Sequence, residues 1–110
     1  MENTKLGRQT FRPGTPPVII GHGSAAGNKE TAGPLGRGFD HTCKDDTFGE
    51  KSWEKAESQM QQLALDAALA RAGLHTADLD ILLAGDLLNQ CIGSFLASMH
   101  ANVPYLGQYG

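Results

Sequence analysis

No apolar run in the sequence approaches the roughly 20 residues that a membrane-spanning helix needs. The first residues, "MENTKLGRQTFRPGTPP", hold no hydrophobic stretch of the secretory kind. Together these absences predict a chain made and kept inside a cell, touching a membrane only through a partner. Only two cysteines are present, Cys43 in a polar stretch and Cys91 in an apolar one. They cannot form a disulfide framework, and a reducing compartment fits. Aromatics are 6% of 110 residues against 40% hydrophobic overall, so any core is modest and built from aliphatic and small side chains. Lys and Arg number 9 against 12 Asp and Glu, a net charge of -3 with no basic cluster. That argues against a phosphate-backbone partner, and no nucleic acid is expected.

What is present is an ordered series of patterns. Residues 1–17 carry three prolines, with Leu6 and Phe11 as large apolar anchors, and read as an extended arm. "PVIIGHG" is a β-branched run closed by glycines and predicts a strand over 18–22. Residues 23–49, "GSAAGNKETAGPLGRGFDHTCKDDTFG", predict a long loop, which in a compact domain is functional or part of something larger. Trp53, Ala56, Met60, Leu63, Ala64 and Ala67 recur at threes and fours. They predict a helix capped by Ser52 and stopped by Gly73. A connector with its own small cap at Thr76 leads to "LDILLA", which predicts a strand buried on both faces, as in a parallel sheet. Leu88, Cys91, Ile92, Phe95, Leu96 and Met99 predict an amphipathic helix whose other side, Gly93, Ser94 and Ala97, is small enough for a second helix to approach. "VPYLGQYG" predicts a further strand from Pro104 or Tyr105. The order β, long loop, α, β, α, β points to an α/β fold with right-handed parallel crossovers. Three strands and two helices leave a sheet face or edge uncovered.

In open α/β sheets ligands gather at the carboxyl ends of strands, and "ILLAGDLLNQC" places Gly85, Asp86, Asn89 and Gln90 at such an end. A structural reading makes Asp86 the helix cap, with the amides beside it by accident of spacing. A functional reading has Asn89 or Gln90 donate hydrogen bonds to a carbonyl or carboxylate ligand. Both stay open on the residues alone. "GHGSAAG" lacks the spacing of a dinucleotide loop and reads as turn chemistry. His41, Cys43, Asp45 and Asp46 in "HTCKDD" have no second ligand pair at zinc-site distance, so neither a metal nor any other cofactor is expected. Cys91 lies on an apolar stripe and reads as a small hydrophobe; His22 and His100 have no visible acid partner.

The segment "ALARAGLHTADLDILLAGD" resembles the helix-to-strand passage of thiolase-like condensing enzymes. "AGPLGRGFD", "KSWEKAESQM" and "LLAGDLLNQ", in that order, resemble one branch of that superfamily more closely, the stage V sporulation protein AD family of spore-forming bacteria, over Gly7 to Gly110. The resemblance implies a partial thiolase-like fold, the first part of the N-terminal half of a layered αβαβα architecture, and a full chain about three times as long. It implies a nucleophilic cysteine only beyond a strand like "YLGQYG", outside this sequence, so no catalytic residue is assigned. It also implies a non-enzymatic binder of dipicolinic acid in the spore dipicolinate transport machinery, acting in sporulation and germination. The implied partners are integral membrane proteins of the dipicolinate channel, at the cytoplasmic side of the spore inner membrane, with a possible homodimer at full length. The alternative is a condensing enzyme acting on acyl thioesters. Carried onto this sequence, the motif positions are Gly85, Asp86, Asn89 and Gln90 in "GDLLNQ" and Gly33 to Gly36 in "GPLG". Lys29, Arg37, Asn89 and Gln90 are the donors a pyridine dicarboxylate would want, and Asp86, an anion, is expected to organise rather than touch the ligand.

Overall fold

The computed structural model describes residues 2–108. They form a mixed α/β chain with three two-stranded sheets. Within the segment read as an extended arm, β1 (Thr4–Leu6) and β2 (Thr10–Arg12) pair antiparallel as a hairpin. Gly7 turns it with a φ of 68°, a value glycine adopts without steric cost. The long loop is stitched by short pieces: β3 (Ala25–Ala26), α1 (Asn28–Thr31), a 3₁₀ turn over Gly36–Gly38, and β4 (His41–Thr42) parallel to β3.

The long helix α2 (Trp53–Ala72) has the predicted ends. The Ser52 hydroxyl accepts from the Lys55 N–H at 3.3 Å, and Gly73 is left-handed at φ 68°. The Leu74 N–H then returns to the Leu69 carbonyl at 3.0 Å, closing the helix through a backward bond. In the connector the cap falls on His75, not Thr76. The His75 N–H donates to the Asp78 carboxylate at 2.8 Å and a 3₁₀ turn spans Thr76–Asp78. Next come β5 (Leu82–Ala84), α3 (Ile92–Ser98) and β6 (Tyr105–Gly107), with β5 and β6 parallel in the register Leu82 to Tyr105.

Three further sequence expectations change. Residues 18–22 are extended but join no sheet among the described residues. They lie on α2 instead: a Cβ at Gly23 would run into the Ala64 carbonyl and come within 2.9 Å of the Ala67 Cβ. The Arg71 guanidinium donates to the His22 carbonyl at 2.7 Å, and Ile19 is left 92% exposed. Second, β5 is covered on one side only. Leu82 and Ala84 face α2 and α3 around a small apolar space, whereas Leu83 is 57% exposed. Third, α3 is shorter than its apolar periodicity and lies the other way up. Gly93, Ser94, Ala97 and Ser98 are buried, while Phe95 is 51% and Met99 60% exposed. Without a side chain at Gly93 the α3 backbone settles against Glu57 of α2, and this close approach sets which face turns inward. The buried apolar side chains are small: Ala26, Ala56, Cys91, Ala97 and Ala101, with Leu69 the one large member among the described residues.

Candidate functional site at the strand ends

The "GDLLNQC" segment starts where β5 stops. Ala84 accepts from the Gln108 N–H at 2.8 Å, and a Cβ at Gly85 would run into the Gln108 carbonyl. Glycine at 85 thus lets the ends of the two parallel strands meet. The chain then turns through two consecutive left-handed residues, Gln90 at φ 49° and Cys91 at φ 70°. Such conformations cost about 1–3 kcal/mol each for residues with a side chain. Asp86 holds the turn against that cost: one carboxylate oxygen accepts from the Cys91 N–H at 3.0 Å and the other from the Ser94 N–H at 2.9 Å. Burial acts to raise the Asp86 carboxyl, but the Ser94, Cys91 and Asn89 hydrogen bonds outweigh it and hold the group below its ordinary range. Asp86 therefore caps the start of α3 from five residues before Cys91.

Behind this cap lies a polar chain. The Cys91 thiol donates to the Gln108 carbonyl at 3.4 Å, and the Ser94 hydroxyl donates to the Cys91 carbonyl at 3.2 Å and meets the Tyr105 hydroxyl at 2.7 Å. Burial pushes the Tyr105 phenol upward. Cys91 is buried and held by this chain, a setting for packing and not for nucleophilic attack. The amides separate. Asn89 donates to the Glu54 carboxylate of α2 at 3.0 Å, while Gln90 is exposed.

The second group of candidates lies in the long loop. Gly36 is buried because a Cβ there would strike the Thr31 carbonyl, so the second glycine of "GPLG" allows the loop to fold back on α1. Lys29 and Arg37 are both exposed. Arg37 lines a cavity of about 400 Å³ with Ser24, Pro34, Leu35, Gly38 and Phe39; Lys29 does not. In "HTCKDD" the acids are used as turn acceptors. Asp45 takes the Thr47 and Gly49 N–H groups at 3.0 and 3.1 Å, and Asp46 takes the Asn28 N–H at 2.7 Å.

One cluster escaped the sequence reading. Asp40 accepts from the Ser24 N–H and hydroxyl at 2.8 and 3.0 Å and from both terminal nitrogens of Arg71, in the last turn of α2. Arg71 holds the Asp40 carboxyl well below the usual carboxylate range, against the opposite pull of burial. At a sequence separation of 31, no local pattern could have paired these side chains.

The extended segment runs along α2 from Ala72 at Gly21 to Ala64 at Gly23, and β5 leads to Asp86 beside Glu57. The extended segment and β5 thus both lead toward the N-terminal half of α2. Arg37 is nonetheless in a cavity that neither Asn89 nor Gln90 lines.

A family model for stage V sporulation protein AD (SpoVAD) matches residues 7–110. Stage V sporulation protein AD of Bacillus subtilis (strain 168) is 41% identical over 104 residues, 94% of this chain. The chain spans about a third of that relative's length, 31%. On both matches, the chain belongs to the stage V sporulation protein AD family.

Proposed function

We propose that this chain is part of a non-enzymatic, thiolase-fold protein that binds dipicolinate and serves its transport in sporulation and germination. In this reading the whole protein works at the cytoplasmic side of the spore inner membrane with integral membrane partners. Among the described residues no helix is long and apolar enough to cross a membrane. Family membership supports the sporulation role. The observation that carries the binding reading is the cavity at the "GPLG" motif, which one cationic residue, Arg37, lines together with Pro34, Leu35 and Phe39. A flat aromatic dicarboxylate needs that combination: an apolar slot for the ring and a charged fork for a carboxylate. Asn89 and Gln90 are proposed as neutral donors near the strand ends, and Asp86 as the organiser of their loop.

The test is a calorimetric titration of dipicolinate into the full-length protein, with an acyl thioester as comparison. Saturable dipicolinate heat is expected, with no thioester response. Arg37→Ala should weaken affinity about tenfold or more, as expected for loss of a hydrogen bond to a charged group; Asn89→Ala with Gln90→Ala should weaken it less. Thioester turnover without dipicolinate binding would replace this reading with a condensing enzyme.

A further inference from the structure

Glu57 has no place in the proposed binding site, yet it faces the structural centre of the "GDLLNQC" turn. Its Oε1 atom is closed off from solvent and has no hydrogen-bond partner. The same carboxyl presses on the α3 backbone at Gly93, where a Cβ would come within 3.2 Å of its Cδ, one residue before the Ser94 N–H that Asp86 holds, so the two carboxyls are neighbours at the start of α3. Asp86 cannot donate. Both its oxygens already accept, one from the Cys91 N–H and one from the Ser94 N–H, and both bonds favour its ionised form. Two ionised carboxylates at this contact would leave a buried oxygen orphaned and two like charges adjacent. One proton on Glu57 removes both faults, because a protonated carboxyl can donate to its neighbour.

We propose that Glu57 and Asp86 hold a single proton between them, and that this proton fastens the start of α3 to α2, so that its loss loosens the Gly85–Cys91 turn. The groups acting on Glu57 agree. Burial raises its affinity for a proton, as do the Asp86 charge and hydrogen bond and then Glu54 on its own helix; the Leu88 N–H alone among them works the other way. From α3 and β6 the neighbouring titratable groups, reached through Asp86, are the Cys91 thiol and the Tyr105 phenol, and neither brings positive charge. The turn is suited to respond, since Gln90 and Cys91 are held left-handed by the bonds to Asp86. The device makes this segment pH-sensitive and stands whether or not the protein binds dipicolinate.

The two carboxyls act on opposite limbs of the pH profile. Glu57 is raised above 4.5, so its contribution is complete below that value and is lost as pH rises through the raised one. Asp86 is lowered below 3.8, so its contribution is present above that value and is lost as pH falls through the lowered one.

The experiment is amide hydrogen exchange across Cys91–Ser98 in the intact protein as pH rises, after correction for the intrinsic exchange rate, with Glu57→Gln alongside. In the wild type, protection of the Ser94 amide should fall about tenfold for each pH unit by which the Glu57 midpoint exceeds 4.5. Glu57→Gln, which keeps a donor and cannot ionise, should abolish that fall. Superimposable wild-type and Glu57→Gln profiles would overturn the proposal. A carbon-13 titration of the wild-type Glu57 carboxyl decides the matter without any variant: a midpoint well above 4.5 supports the shared proton, and one at or below 4.5 refutes it.

Discussion

The long loop and the β5–α3–β6 unit rest on the same helix but hold to it differently. The extended segment before β3 meets α2 backbone to backbone, with Gly21 against Ala68 and Ala72, Gly23 against Ala64 and Ala67, and the Asp40–Arg71 pair as a clamp. On the other side a helix comes close through Gly93 and is fixed at its start by the Asp86 carboxylate. The first contact has no slack, because main chain faces main chain. The second does, because what opposes Gly93 is the movable end of a glutamate.

The largest expected effect therefore separates the two glycines. Gly23→Ala puts a methyl group into the Ala64 carbonyl and within 2.8 Å of the Ala68 nitrogen, an overpacking expected to cost about 1–3 kcal/mol or more. Gly93→Ala displaces the Glu57 carboxyl from its place against α3, a loss set against about 1 kcal/mol gained by alanine in helix propensity. It should lie within about 1 kcal/mol of wild type in urea denaturation. Equal losses in the two variants would mean that the extended segment is not seated on α2.

The smallest expected effect is at the outer face of α3. Met99→Gln should change stability by no more than about 0.5 kcal/mol, because this side chain is in solvent. A loss above about 2 kcal/mol in the same denaturation experiment would put the apolar stripe back in the core.

Legibility in the sequence follows range. Ser52 and Gly73 act on their own backbone, so both ends of α2 could be read directly, as could β6 from Tyr105. The face of α3 could not. Leu88, Ile92, Phe95 and Met99 make a stripe, but a stripe does not say what lies opposite, and Gly93 on the other side proved decisive. The run 18–22 misled in a related way. Its β-branched residues mark extended backbone, while the two glycines after them send that backbone onto a helix instead of a strand. At the candidate site, the capping chemistry of Asp86 was legible, and the carboxyl it meets from α2 was not. Arg37 stands out in its motif as a cation, whereas its apolar neighbours in the cavity depend on Gly36 folding the loop back.

The loop and the strand–helix unit are fastened to α2 independently, one by Asp40 and Arg71, the other by the approach of Gly93 to Glu57 and the Asn89–Glu54 hydrogen bond, with Asp86 holding the start of α3 in place for that contact. The direct measurement is residue-resolved hydrogen exchange on Arg71→Ala. Protection should fall at the His41 and Cys43 amides, which bond to Ser24 and Ala26, and stay unchanged at the Cys91 and Ser94 amides held by Asp86. Loss at both sets of amides, or at neither, would contradict it.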